Sequence, residues 1–188
     1  MIPSTKNCRD CPLGGKLPGV DCVTSRSADV MVVGMAPGYR DIKNGMAFSD
    51  NPGLFLEACL KQAGLQSRIH LTYLVKHWPK RSPETTPAYA IEACSHHFLA
   101  EWETVKPKLI VAVGAKVMAH LGVKGGIKQN SGFIFDTEWG RVMPLLNPSG
   151  LMMAANMRNA GAVMTSMHRI VTEINGAAAP PPYSGEIV

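Results

Sequence analysis

Apolar residues crowd into three short runs: "ADVMVVGMAPG" at 28–38, "IHLTYLVKHW" at 69–78 and "KLIVAVG" at 108–114. Runs of this length, rich in Val and Ile and without polar alternation, predict strands buried on both faces. Between and after them the apolar period lengthens. "GLFLEACLKQAGL" has helical spacing that stops near Gly64, and "TTPAYAIEACSHHFLAEWETV" predicts a longer helix with Thr86 as N-cap and Pro87 as first residue. "AKVMAHLGV" predicts a short helix, "FIFDTEWGRVMPLL" a hairpin turning at "EWG", and "NPSGLMMAANMRNAGAVMTSMHRIVTEI" a loop followed by a final helix.

Strands that alternate with helices, and strands that need cover on both faces, predict a parallel α/β sandwich. In such sheets ligands sit beyond the carboxyl ends of the strands. The segments expected there are "GMAPGYRD", "KHWPKR", "GAK" and "NPSGL", so these are the places to look for chemistry. Residues 1–176 read as a single domain with no internal repeat. The Pro/Ala-rich tail at 177–188 is expected to be disordered.

Composition narrows the class. With 188 residues the chain has interior enough for one core, and at 46% hydrophobic and 18% charged it is neither fibrous nor disorder-like. No run of about 18 apolar residues predicts a membrane span. The first residues lack the apolar stretch of a signal peptide, so a cytoplasmic location is expected. The five cysteines then read as metal ligands or buried thiols instead of disulfides. A net charge of +5 is compatible with a nucleic-acid partner but does not by itself specify one.

Cys8 and Cys11, in "NCRDCPLGG", have the spacing of half a metal site. Cys59 lies among Leu56 and Leu60 on a helix and reads as a buried thiol. His77 ends the second strand and Cys94 lies on the following helix, so the loop between them can bring both to one point. Cys8, Cys11, His77 and Cys94 would then form a four-ligand set that either zinc or an iron–sulfur cluster accepts. A cysteine pair without partners, beside a solvated His77, satisfies the same spacing.

Several segments together resemble the uracil-DNA glycosylase superfamily, specifically its iron–sulfur branch, family 4, with family 5 close by. "VVGMAPGYRDIKNGMAF" followed by "NPGLFLEACLKQAG" is similar to the family's first motif. "LTYLVKHWPKRSPETTPAYAIEAC" resembles its "TN-x-V-K-C-x-P" segment with the downstream cysteine. "PKLIVAVGAKVMAHL" resembles the third strand and turn, and "NPSGL" stands where the family carries "HPS". The resemblance spans roughly residues 5–175. It implies a three-layer α/β/α sandwich with a central, mostly parallel four-stranded sheet. It also implies a 4Fe-4S cluster on Cys8, Cys11, His77 and Cys94, with zinc as the alternative metal and Cys22 as the alternative to His77. The superfamily branch that traps DNA covalently also reads "VKH" here, but its basic insertion with a reactive histidine has no counterpart in this chain.

The same resemblance assigns roles around a flipped base. Phe48 would stack on the base, with Gly34, Met35, Ala36 and Tyr73 also lining its pocket. Asp41 would orient water or stabilise the oxocarbenium-like sugar, and Asn147 would donate to a base oxygen. Lys76, Lys80, Arg81, Ser149, Gly150, Leu151, Met152 and Arg158 would contact DNA, with the apolar pair inserting into the gap left by the base. Three positions depart from the family 4 pattern: Met35 stands where Glu is common, Tyr73 where Asn pairs with uracil, and Asn147 where His is usual. A lost donor of the last kind typically costs about a hundred- to a thousand-fold in rate.

The function implied is a monofunctional, monomeric DNA glycosylase. It would hydrolytically excise uracil or a modified pyrimidine from single- or double-stranded DNA, in base excision repair or the processing of modified DNA, without a membrane partner. The alternative is a catalytically weak or inactive module of the same fold that binds DNA or a modified base. A small zinc- or nucleotide-binding α/β protein would require the several motifs to coincide by accident.

Overall fold

The computed structural model describes residues 5, 8, 13, 19–24, 28–80, 85–148 and 160–176. The expected sites Cys11, Arg81, Ser149, Gly150, Leu151, Met152 and Arg158, and the tail at 177–188, lie outside them. The strands are β1 (Val23–Thr24), β2 (Val30–Gly34), β3 (Ile69–Tyr73), β4 (Leu109–Val113), β5 (Phe135–Thr137) and β6 (Gly140–Leu145). The helices are α1 (Tyr39–Asn44), α2 (Asn51–Gln62), α3 (Ala88–Val105), α4 (Ala115–His120), α5 (Ile127–Asn130) and α6 (Ala160–Ile174).

One sheet runs in the order β1-β3-β2-β4-β6-β5. The central four strands are parallel, as expected. The sheet has six strands, not four, because short antiparallel strands flank the parallel set: β1 on β3 and β5 on β6. β5 and β6 are the arms of the predicted hairpin. β1, two residues long, is too short to leave a hydrophobic pattern in the sequence.

The apolar runs are continuous because each strand feeds two cores, successive side chains pointing to opposite faces. Val30 and Val32 of β2, with Leu109, Val111 and Val113 of β4, join Leu56 and Leu60 of α2 and Met167 and Ile170 of α6. Met31 and Val33, with Ile110 and Ala112, join Phe98 of α3 and Val117, Met118 and Leu121 of α4 on the other face. Burying each such aliphatic side chain contributes about 1.5–3 kcal/mol relative to leaving it in water. The result is a three-layer α/β/α sandwich. Among the described residues no helix is long and apolar enough to cross a membrane.

Helix starts follow backbone sterics. Pro87 is the N-cap of α3, with extended backbone (φ −75°, ψ 151°), and the helix begins at Ala88, one residue later than the sequence suggests. Asp50 caps α2, accepting from the Gly53 N–H at 2.8 Å, and Pro52 sits in the first turn, where its missing N–H costs no helical bond.

The first turn of α2 lies directly on the backbone of Phe48. A Cβ on Gly53 would come within 2.1 Å of the Phe48 carbonyl oxygen. Phe48 itself has φ +56°, a left-handed conformation unusual for a bulky residue. We expect Gly53→Ala to force the loop off the helix, at a cost of about 1–3 kcal/mol. A thermal melt should show a fall of several degrees; an unchanged midpoint would mean that this contact does not constrain the loop.

Candidate active-site cleft

The parallel strands end level with one another: Gly34 pairs with Tyr73, and Val113 with Leu145. Beyond these ends lies a cleft of about 280 Å³. The turn after β2 supplies Gly34, Met35, Ala36 and Gly38 to it, and the next loop and helix starts supply Asp41, Phe48, Asp50, Pro52 and Gly53. Tyr73 ends β3, Val113, Gly114, Lys116 and Val117 follow β4, and Asn147 and Pro148 follow β6. Every residue expected to bind the base or act on it therefore converges here. Asp50 and Lys116 also line the cleft. Neither stands out in the sequence: an Asp two residues before Pro52 marks only a helix start, and Lys116 is a lone charge after a strand.

Asp41 organises the wall. It is 1% exposed. Its Oδ1 accepts from the Ser49 N–H, the Ser49 hydroxyl and the Asp50 N–H at 2.8, 3.1 and 3.1 Å. Its Oδ2 accepts from the Gly38 N–H at 2.8 Å and the Tyr73 hydroxyl at 2.9 Å. A carboxylate offers about four lone-pair sites, so both oxygens are saturated. Asp41, expected to orient water, is spent on holding the turn, the loop and β3 together.

Tyr73 differs from expectation in a similar way. Its hydroxyl donates to Asp41 and accepts the Phe48 N–H at 3.0 Å, leaving no O–H for a base edge. Its ring stacks on Phe48, with centroids 4.7 Å apart and planes inclined by 17°. A Cβ on Gly34 would meet the Tyr73 ring at 2.7 Å, so the space the missing side chain leaves is filled by that ring. Tyr73 covers one face of the Phe48 ring, while Phe48 still lines the cleft. Burial first, and then the nearby Asp41 charge, push the Tyr73 hydroxyl well above its ordinary value, so it stays protonated.

Lys76 was expected at a DNA phosphate, and its position forbids that. It is 0% exposed, and its ammonium donates to Glu101 Oε2 and the Tyr73 carbonyl, both at 2.8 Å, and to the Thr72 hydroxyl at 2.5 Å. A lysine after a strand end reads as surface charge in sequence; here it neutralises a glutamate that α3 buries. Burial pushes the Glu101 carboxyl up, but His70, Lys76 and Thr72 outweigh it and hold the group below its ordinary value of 4.5. Of these contacts the His70 one is longest, Nε2 lying 3.5 Å from Oε2. Cys22 joins this group, its thiol within 4.8 Å of the ligand atoms of His70 and Glu101. The Lys76 ammonium already compensates Glu101, so the cluster reads as a buried ion-pair network. Lys80, by contrast, is exposed.

Among the proposed cluster ligands, Cys8 is half-buried, Cys94 is fully buried and His77 is 2% exposed. The His77 Nδ1 is buried without a hydrogen-bond partner, and burial lowers the pKa of the ring. A neutral, orphaned imidazole nitrogen and two thiols are donor types that a cluster or zinc accepts. Among the described residues, however, these three do not gather within the 4.8 Å that holds the ligand atoms of Cys22, His70 and Glu101 together.

Residues 23–167 match the Uracil DNA glycosylase superfamily. A type-4 uracil-DNA glycosylase of Thermotoga maritima is 31% identical over 153 residues, covering 78% of this chain and 79% of that protein. Type-4 uracil-DNA glycosylases of Archaeoglobus fulgidus and Pyrobaculum aerophilum are 28% and 30% identical. They align over 61% and 62% of this chain, and over 58% and 61% of their own lengths.

Removing Lys76 strands the Glu101 charge in the interior. Lys76→Ala should therefore destabilise by about 3–5 kcal/mol in urea titration, a loss far beyond that of a surface phosphate contact. Because the Glu101 carboxyl is held low, its contribution is in place above the ordinary carboxyl value and is lost as pH falls through the folded value. Glu101→Gln should flatten that part of the acid unfolding profile.

Proposed function

This chain belongs to the uracil-DNA glycosylase superfamily, on its type-4 branch, and on that premise we propose that it is a DNA glycosylase. In this reading it hydrolyses the bond between deoxyribose and a base flipped into the cleft, acting as a monofunctional monomer with uracil as the first candidate base. The observation that carries the reading is the convergence of the four motif segments on one cleft at the carboxyl ends of the parallel strands.

The cleft would act chiefly by positioning and electrostatics. The turn 34–38 brings main chain close to the base because Gly34, Ala36 and Gly38 carry little or no side chain. Asn147, on the opposite wall, can donate an amide N–H to a base oxygen on which negative charge develops. Being neutral, it stabilises that charge less than a protonated histidine would. Lys80 and Lys116 are exposed cations on the strand-end side of the fold and suit phosphate contact. Tyr39, 60% exposed, follows Gly38 and pairs with Trp78 at 5.3 Å, offering aromatic surface beside the cleft.

Cys8, Cys11, His77 and Cys94 are proposed to hold a 4Fe-4S cluster. When bound, it would tie the N-terminal segment to β3 and α3 through covalent ligation. The orphaned His77 Nδ1 supports an imidazole ligand. Anaerobic purification should give a brown protein with about four irons per chain. Cys94→Ser should bleach it, whereas a colourless zinc protein would sink the cluster assignment.

A second reading, a module that binds DNA without efficient hydrolysis, is favoured by one observation. The Tyr73–Phe48 stack occupies one of the two faces of the ring on which the base is expected to lie. Excision from end-labelled oligonucleotides, with alkaline cleavage at abasic sites, separates the two. The panel comprises uracil in single strands and opposite G or A, hypoxanthine and 5-substituted pyrimidines. Excision of at least one base is expected. Tyr73→Asn restores an amide edge and should raise uracil excision about tenfold, the worth of one good hydrogen bond. Tight DNA binding with no excision across the panel would leave the binding module instead. Borohydride trapping on Lys116 should fail, since a hydrolytic glycosylase forms no imine with its substrate.

A further inference from the structure

We propose that the carboxylate acting on the substrate in this cleft is Asp50, not Asp41, an assignment that rests on the glycosylase reading above. Both residues line the cleft, but they differ in what their oxygens are free to do. Asp41 is 1% exposed and accepts five hydrogen bonds. A water proton could reach it only by breaking the turn and loop that shape the site.

Asp50 is half-buried. Its Oδ1 accepts the Gly53 N–H at 2.8 Å, the N-cap bond of α2. Its own main-chain N–H also acts on the carboxyl; among the described residues no other residue donates to Oδ2. That oxygen faces the turn after β2, 3.5 Å from where a Gly38 Cβ would stand. One oxygen is thus tethered to a helix start, which fixes the carboxyl, and the other is presented to the cleft. A group fixed this way needs little reorganisation when it reacts.

The electrostatic setting agrees. Burial raises the Asp50 carboxyl above its ordinary value, opposed by the Gly53 bond and reinforced by the Asp41 charge. Arg40 on α1 lowers it, although its guanidinium is engaged with Asn51 Oδ1 at 2.7 Å. Tyr73 from β3 and Lys116 from α4 complete the ionisable groups around this part of the cleft. A carboxylate raised towards working pH is a better proton acceptor than a solvated one.

In the proposed step, water oxygen forms a bond to the sugar C1′ as the C1′–N bond breaks. Asp50 Oδ2 takes the water proton, and the bonding pair leaves with the base. The base anion then collects a proton, either from Asp50 directly or from solvent while Asp50 releases its own to solvent, and the carboxylate is restored. The products are free base and an abasic sugar, and atoms and charge balance without a further reactant.

The test is single-turnover excision by wild type, Asp50→Asn and Asp50→Ser across pH on whichever base of the panel wild type removes. Asn and Ser both cap helices well, so the fold and DNA affinity should be kept, checked by thermal melting and by DNA titration. The expected result is a loss of about 10²- to 10⁴-fold in rate, with the acidic limb of the wild-type pH profile gone. Wild-type rate and an unchanged acidic limb in either folded variant would overturn the proposal while leaving the glycosylase reading intact. Inactivity of wild type on the whole panel would overturn both.

Discussion

Two oxygens of Asp41 accept from a turn, a loop and a strand end, and the cleft owes its shape to that arrangement. The Gly38 N–H belongs to the turn after β2, Ser49 and the Asp50 N–H to the loop before α2, and the hydroxyl to Tyr73 at the end of β3. Each donor would be expensive to bury unpaired, and each is paired with one charge. The left-handed backbone of Phe48 (φ +56°) is tolerable in this setting because its N–H is held by Tyr73 and its carbonyl lies against Gly53. Strain of this kind costs about 1–3 kcal/mol and persists only where neighbours over-determine it.

A second buried charge supports the floor. Lys76 ties β3 to α3 through Glu101 and donates to the carbonyl of Tyr73, the residue that also meets Asp41. The backbone and side chain of Tyr73 are thus fixed from opposite directions by Lys76 and Asp41. Its aromatic ring is therefore a rigid part of the wall.

Much of the architecture was legible in the sequence. Unbroken apolar runs in β2 and β4 require helices on both sides, and three of the four strand-end segments, "GMAPGYRD", "GAK" and "NPSGL", do line the cleft, whereas "KHWPKR" does not. The positions of Phe48, Tyr73, Asp41 and Asn147 in that cleft followed from motif order. What stayed hidden was the destination of polar groups. Nothing in "YLVKHW" distinguishes a lysine pointing to solvent from one turned inward to a glutamate 25 residues later, because that depends on how α3 packs. For the same reason the sequence favoured Asp41 as the chemical carboxylate: it marks the motif, whereas Asp50 reads simply as a helix cap. Saturation by five donors is a property of the folded loop alone.

The alternation of β2 between two cores carries a further consequence for how such a chain can vary. Val30 and Val32 face one layer and Met31 and Val33 the other, and the strand ends at the residue whose bare Cα admits the Tyr73 ring. A one-residue insertion or deletion within β2 would exchange the two layers and also carry a side chain into that ring, so two independent penalties would fall together. Length changes in this lineage should therefore accumulate in the connections, at the amino ends of the strands, leaving the depth of the cleft a nearly constant inheritance while the side chains around it diversify.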